Sequence, residues 1–332
     1  YGRSAVYWAS TNETYRSNNT KLICKVIDYD TNEGIANYSV GFYNSTTYLG
    51  SNITNESGYA MLEIDTTGYS VGLQTFYCQI FNDSEKYYTA VITQATQQIL
   101  LKGKLNTEIL APLDGEKLER GMSYELLSIT KDEFSTVVTP DSVSWYIGTQ
   151  LTATTENTSW SVPLDQALGE VEIKINTSKQ YYDPSNDSVN VYIYGHSEAR
   201  IVAPQVGVYP EHVDLTVVCF VNDTDKNEGI ASYPVALYKN STLIAQTSTN
   251  ATGYAEFNLE LVEGTYVVSC EIGNYSYYYV QQNESKLIKN IDKNEILNQL
   301  EKFRIGEAYK YSLYEEEPSV GATLSAALIK LI

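Results

Sequence analysis

The stretch Leu22–Ala60, LICKVIDYDTNEGIANYSVGFYNSTTYLGSNITNESGYA, returns at Val217–Ala255 as VVCFVNDTDKNEGIASYPVALYKNSTLIAQTSTNATGYA. Eighteen of the 39 aligned residues are identical without a gap, so the two segments are copies of one folding unit. Within each copy apolar residues recur at every second position. Val40 and Phe42 answer Val235 and Leu237, and each pair sits between polar runs such as Asp28 to Gly34. Short alternating strands separated by turn residues predict an antiparallel β-sandwich. Neither copy repeats with the 3.6-residue period of a helix.

Each copy holds one cysteine, Cys24 or Cys219, and each has one partner downstream, Cys78 or Cys270, preceded at six residues by Gly72 or Gly264. Two cysteines about 50 residues apart, on an early and a late strand of a roughly 100-residue sandwich, are placed as an immunoglobulin-type inter-sheet disulfide would be. Closing such a loop is worth roughly 4 kcal/mol in the chain-entropy account. The alternative is four buried free thiols.

A cysteine-free copy lies between the two. Val143-Ser-Trp-Tyr146 matches Val40-Gly-Phe-Tyr43, and the sequon with an aromatic at Asn157 to Trp160 matches Asn55 to Tyr59. Each unit closes on a sequon followed by paired tyrosines: Asn82 with Tyr87-Tyr88, Asn176 with Tyr181-Tyr182, Asn274 with Tyr278-Tyr279. Leu127 stands where the first cysteine is expected, so an apolar core is predicted to replace the bridge. The chain therefore reads as all-β, with three tandem immunoglobulin-like sandwiches over residues 1–103, 104–198 and 199–291, then a short helix and apolar tail over 292–332. The junctions are short, which predicts modules that stack as a semi-rigid rod.

Gly34 to Tyr43, Thr54 to Ala60, Gly229 to Tyr238 and Thr249 to Ala255 resemble the Ig-like modules of prokaryotic surface proteins. In those modules a turn, a Val-x-Φ-Tyr strand and a Thr-Asn-x-Ser/Thr-Gly-Tyr-Ala strand recur in strings. The pattern is most similar to archaeal cell-surface glycoproteins of filament, sheath or S-layer type, with invasin-like bacterial modules next. That resemblance implies fold and location; such modules serve as spacers, adhesins and lattice subunits alike.

Composition limits the partners. The formal net charge is −19, and no basic stripe exists to replace the counterions of nucleic acid or of anionic lipid. Tyrosine outnumbers phenylalanine 30 to 7, as suits thin sandwiches whose aromatics face a core on one side and water on the other. The paired cysteines and an abrupt start at Tyr1 lead to the expectation of a secreted, mature protein. Sequons strengthen it. They stand at Asn12, Asn18, Asn37, Asn44, Asn52, Asn55, Asn82, Asn157, Asn176, Asn186, Asn222, Asn240, Asn250, Asn274 and Asn283, against roughly four expected from serine and threonine content. N-linked glycans at most of them are the expectation, with many of the sites at turns.

Among candidate sites, Asp28-x-Asp30-x-Asn32-Glu33-Gly34 and Asp223-x-Asp225-x-Asn227-Glu228-Gly229 put oxygen ligands on alternate residues ahead of glycine, as a Ca²⁺ loop does. The glycine lies one place later than in an EF-hand and no bidentate glutamate follows, so an ordinary Asx turn is the competing reading. No other cofactor is expected. The two histidines, His196 and His212, sit beside no nucleophile motif, and the chain is not read as an enzyme. Asp292 and Glu295 begin a short amphipathic helix that ends near Gly306. The apolar run Gly321 to Ile332 is too short to span a bilayer; Leu324, Leu328, Leu331 and Ile332 are its candidate assembly face, as strand or helix. The function expected is an extracellular, glycosylated structural subunit that polymerises with copies of itself. An adhesin or carbohydrate-binding module using tyrosines around Tyr275 to Tyr279, and the accessory domains of an extracellular enzyme, are the alternatives.

Overall fold

The computed structural model describes residues 1–210, 212, 214–292, 294–295, 297–298 and 300–302. It is built of tandem Ig-like β-sandwiches, and its contacts divide the chain into two compact units. The first unit comprises Tyr1–Asp114, Glu125–Ser159 and Glu172–Val189; the second comprises Gly115–Tyr124, Trp160–Val171 and the chain from Asn190 onward. Each holds one outer sandwich entire and part of the middle repeat.

In the first unit, one sheet runs Tyr59–Ile64, Thr20–Asp28, Gly2–Trp8, Tyr88–Ile92. The facing sheet pairs Gln94–Ala111, Gly72–Gln79, Ser39–Asn44 and Thr47–Ile53, with the short Glu13–Tyr15 strand laid parallel on its edge. Period-two patterning drives this: along Thr20–Asp28, Thr20, Leu22, Cys24 and Val26 are buried while Lys21, Ile23 and Lys25 between them are not. The core they enter includes Val40, Phe42, Phe76, Cys78, Ile99 and Leu101. Cys24 and Cys78 bridge the two sheets with Cα atoms 6.5 Å apart.

The third sandwich, in the second unit, repeats this plan. Asp214–Asp223 pairs with Tyr254–Glu260 on one side. Across the core, Pro234–Lys239 pairs with Gly264–Glu271, which pairs with Tyr278–Ile291. Cys219 and Cys270 bridge the sheets with Cα atoms 6.0 Å apart, so the expected pairs form and no cysteine is free.

Two alignments of the sequence reading shift. Cys24 and Cys219 stand four residues before Asp28 and Asp223, the last residues of their strands. The same count back from Asp132, which ends Ser123–Asp132, reaches Ser128 rather than Leu127. Its partner position is Ile175, which pairs with Trp145 as Cys78 pairs with Phe42. Ser128 is buried and donates its hydroxyl to Glu156 O at 3.2 Å, while Leu127 is half-buried. Ser128 and Ile175 therefore stand where the outer sandwiches have a bridge, and the fully buried Trp145 stands where they have Phe42 and Leu237. The second shift is in the closing tyrosines. The pair that repeats Tyr87-Tyr88 and Tyr181-Tyr182 is Tyr277-Tyr278, because the first of each pair adopts positive φ (58°, 66° and 66°).

After the third sandwich, Asp292 Oδ1 accepts the amide of Asn294 at 2.7 Å, and the described residues from Asn294 to Lys302 are helical, as a capped helix start requires. Among the described residues no helix is long and apolar enough to cross a membrane. The tail positions Leu324, Leu328, Leu331 and Ile332 lie outside the described residues.

Candidate functional site: arginine-capped acidic turns

The acidic turns are Asx turns built on the strand-terminal aspartate. Asp28 Oδ1 accepts the amides of Asp30 (2.9 Å) and Thr31 (3.1 Å). Asp223 Oδ1 accepts those of Asp225 (3.0 Å) and Lys226 (3.1 Å). Asn32 and Asn227 close the turns at φ 64° and 57°. Asparagine tolerates that left-handed conformation better than most residues, which accounts for their presence without a metal. The second aspartates are also engaged: Asp30 pairs with Arg3, and Asp225 Oδ1 bonds His196 Nδ1 at 2.9 Å. No group of three or more His, Cys, Asp or Glu side chains converges as a cation cage among the described residues.

The middle repeat has the same device despite its different sequence. Asp132 Oδ1 accepts the amides of Phe134 (3.0 Å) and Thr136 (2.9 Å), and Ser135 takes the left-handed position. What distinguishes this turn is the cation on it. Arg16, from the first sandwich, donates from Nη2 to Asp132 Oδ2 (3.2 Å), from Nε to Glu133 Oε1 (2.8 Å) and from Nη1 to Tyr69 O (3.2 Å). Its guanidinium carbon lies 5.2 Å from the Phe134 ring centre and 5.6 Å from that of Tyr182. The Arg16 and Asp132 side chains are only 8% and 7% exposed. Burial pushes the Asp132 carboxyl up, but the Thr136 and Phe134 amides and the guanidinium together hold it below the ordinary carboxylate range.

The second unit contains a matching pair. Arg120 donates from Nη1 to Asp223 Oδ2 at 2.9 Å and from Nε to Gln166 O at 2.7 Å. Its side chain is 2% exposed and that of Asp223 5%. Tyr278 donates its hydroxyl to the same Oδ2 at 2.8 Å. Burial first, and then this bond to a carboxylate, push the phenol well above its usual range. His196 completes the cluster, its Nε2 lying 3.1 Å from Glu119 Oε2.

Arg16 and Arg120 reach these turns by one route. Each follows a short strand laid parallel on the last strand of its own module: Tyr15 pairs with Lys102 and Glu119 with Tyr194, and the next amide, of Arg16 or Arg120, donates to the carbonyl of that same partner. A buried arginine on a buried aspartate is a strong, geometrically demanding contact, and losing one partner leaves the other charge uncompensated. The sequence offers one weak signal for it: an arginine three or four residues ahead of a strand that ends in aspartate.

The other expected sites are distributed differently. Of the fifteen sequon asparagines, twelve are exposed, Asn44 and Asn176 are half-buried, and Asn222 is buried at 2% exposure. Asn55 and Asn250 use Oδ1 to cap their own turns, and Asn52 and Asn283 donate Nδ2 to Met61 O and Ile272 O. The tyrosines from Tyr275 to Tyr279 do not form a free platform: Tyr278 serves Asp223, Tyr279 stacks on Tyr194 at 4.7 Å and Tyr277 on Tyr192 at 6.2 Å.

No family model matches the chain, and no curated protein matches it. Solved structures do. A tetra-tandem repeat from the extending region of a large adhesion protein is 14% identical, over 86% of this chain and 74% of that one, with a TM-score of 0.41. An I-band fragment of titin is 11% identical over 87% and 96%, at 0.43. Invasin, a bacterial integrin-binding protein, is 10% identical over 87% and 60%, at 0.42.

Proposed function

We propose that the chain is a load-bearing segment of an extracellular filament, sheath or S-layer, carrying N-linked glycans and neighbouring copies of itself. The observation that carries this reading is how the modules are fastened. Gln94–Ala111 is one 18-residue strand that leaves the first sandwich and pairs with Ser123–Asp132 of the middle repeat with no linker between. Buried Arg16 pins the same junction, and Arg120 pins the next. Disulfides cross-link both outer sandwiches, which favours an oxidising compartment. A spacer that must transmit force needs such joints, whereas a chain of independently moving domains needs flexible ones. Contacts through the apolar tail belong to the same proposal.

Stretching single molecules tests it. Tethered at its ends, the chain extends in discrete whole-module steps with no compliant phase from the junctions. Reductant lengthens the two outer steps by loops of 54 and 51 residues, at about 3.6 Å per residue. Gradual extension at low force before any module opens defeats the reading.

A further inference from the structure

We propose that the face of the first sandwich around Asp28 is an acceptor for an arginine supplied by a further Ig-like module, forming a third copy of the lock made by Arg16 on Asp132 and Arg120 on Asp223. This deepens the module-string reading and rests on it.

The three aspartates are equivalent. Each ends its strand, and each uses Oδ1 to cap the turn that follows. In the middle and third modules Oδ2 meets a guanidinium from the module before. In the first, Oδ2 accepts the Tyr88 hydroxyl at 2.9 Å, as Asp223 accepts Tyr278. Asp132 and Asp223 are buried while Asp28 is half-buried. The residue before the first strand's buried serine also corresponds, since Arg3 and His196 each bind the second aspartate of their turn. That ion pair in the first module is about half exposed on both sides.

The tyrosine beside each lock extends the match. A Cβ on Gly72, which opens a strand of the first sandwich, would lie 3.2 Å from the Tyr181 ring. One on Gly169, in the equivalent place of the middle repeat, would lie 3.4 Å from Tyr277. The left-handed tyrosine of the accepting module thus covers a bare glycine of the donating one. Tyr87 is the counterpart in the first sandwich and is 64% exposed, against 39% for Tyr181 and 40% for Tyr277. A carboxylate and an exposed ring in the lock arrangement fit a module that brings an arginine and a glycine.

The third module of another copy fits less well. Pro210 pairs with Ile291 as Tyr15 pairs with Lys102 and Glu119 with Tyr194. The residue that follows in sequence is Arg16 and Arg120 in the first two modules but Glu211 in the third, and glutamate has no guanidinium to donate. The donor is therefore a module with arginine at that place.

The test begins with the native chain. Asp28→Asn keeps the turn cap, loses only the half-buried bond accepted from Tyr88 and lowers the thermal midpoint slightly, while Asp223→Asn, which strips charge from a buried partner of Arg120, lowers it by several degrees. Equal losses from both would assign Asp28 to its own turn and overturn the proposal. Residues 104–193 are then joined ahead of Tyr1, supplying the donor at high effective concentration. In that chain Asp28→Asn becomes as damaging as Asp223→Asn, Arg120→Ala in the added copy alone has the same effect, and the two are non-additive. No added loss from Asp28→Asn while the added module is protected from hydrogen exchange overturns the idea. A second probe needs no graft: a chain carrying Glu211→Arg, mixed with native chain, sediments as a complex that Asp28→Asn removes. Absence of a complex together with a silent or unfolded graft is a failure. Self-association of the native chain that Asp28→Asn removes would give the face to a second copy and refute the arginine donor. The stretching experiment does not involve Asp28, so either result can fail alone.

Discussion

At His196 the ring lies between two carboxylates, Asp225 on Nδ1 and Glu119 on Nε2. Only the doubly protonated imidazolium donates to both. Burial lowers the histidine pKa, but the bonds to Asp225 and then Glu119 outweigh it and raise the value above 6.5. A raised histidine contributes stability that is full below the unfolded pKa and is lost as pH rises through the folded one. The third sandwich is therefore expected to have a lower urea midpoint at pH 8 than at pH 6, and His196→Gln to remove that difference. A midpoint that rises with pH in this window, or a difference that survives the substitution, would show that Arg120 already satisfies Asp225. Arg120 and Asp223 add a second lesson at this scale. Both charges are buried together, so removing one partner leaves the other uncompensated away from water, which typically costs about 3–5 kcal/mol.

Between strands, the acidic turn and the sequon turn fold against one another. Ile35 N donates to Val26 O and Val26 N to Gly58 O, so the Asp28–Gly34 loop and the Asn55–Gly58 loop share the edge of one strand. They approach so closely that a Cβ on Gly34 would lie 2.2 Å from Ser57 O, and one on Gly229 2.1 Å from Thr252 O. Backbone cannot yield as a flexible side chain can. Gly34→Ala and Gly229→Ala are each expected to destabilise by about 3 kcal/mol or more in chemical denaturation. Gly68→Ala, which meets nothing within 4 Å, serves as control and is expected to fall within about 0.5 kcal/mol of the parent. If the three behave alike, the close approach does not constrain the fold.

For the molecule as a whole, the exposed sequons and a net charge of −19 describe a surface that resists non-specific association. Glycosylation itself is tested site by site. Peptide mapping of the native material is expected to find glycans at exposed Asn12, Asn18, Asn82 and Asn274 and bare peptide at Asn222, whose side chain lies within the fold with Nδ2 3.5 Å from Glu198 Oε1. Lower occupancy is expected at Asn52 and Asn283, where Nδ2 is already a donor to the chain. An intact mass equal to the 37.2 kDa polypeptide would reduce the sequons to composition.

The duplicated stretch determined the sandwich and the alternation of buried positions, since each follows from a spacing of two in a strand repeated in both copies, and with one cysteine per copy and one downstream it pointed to the pairs that the structure forms. It also made the acidic turns visible. It left their purpose open between cation loop and Asx turn, because carboxylates at alternate positions read the same in both. Tertiary structure decided that Asp223 meets Arg120 and Asp132 meets Arg16, residues 103 and 116 positions away along the chain. It also decided that Ser128 rather than Leu127 faces the bridge position, and that Asn222 is buried beside exposed sequons. These depend on which strand lies on which edge and in which register, and a shift of one residue turns every side chain to the opposite face. Local pattern therefore carries the sandwich, while the locks exist only once separate modules are brought edge to edge.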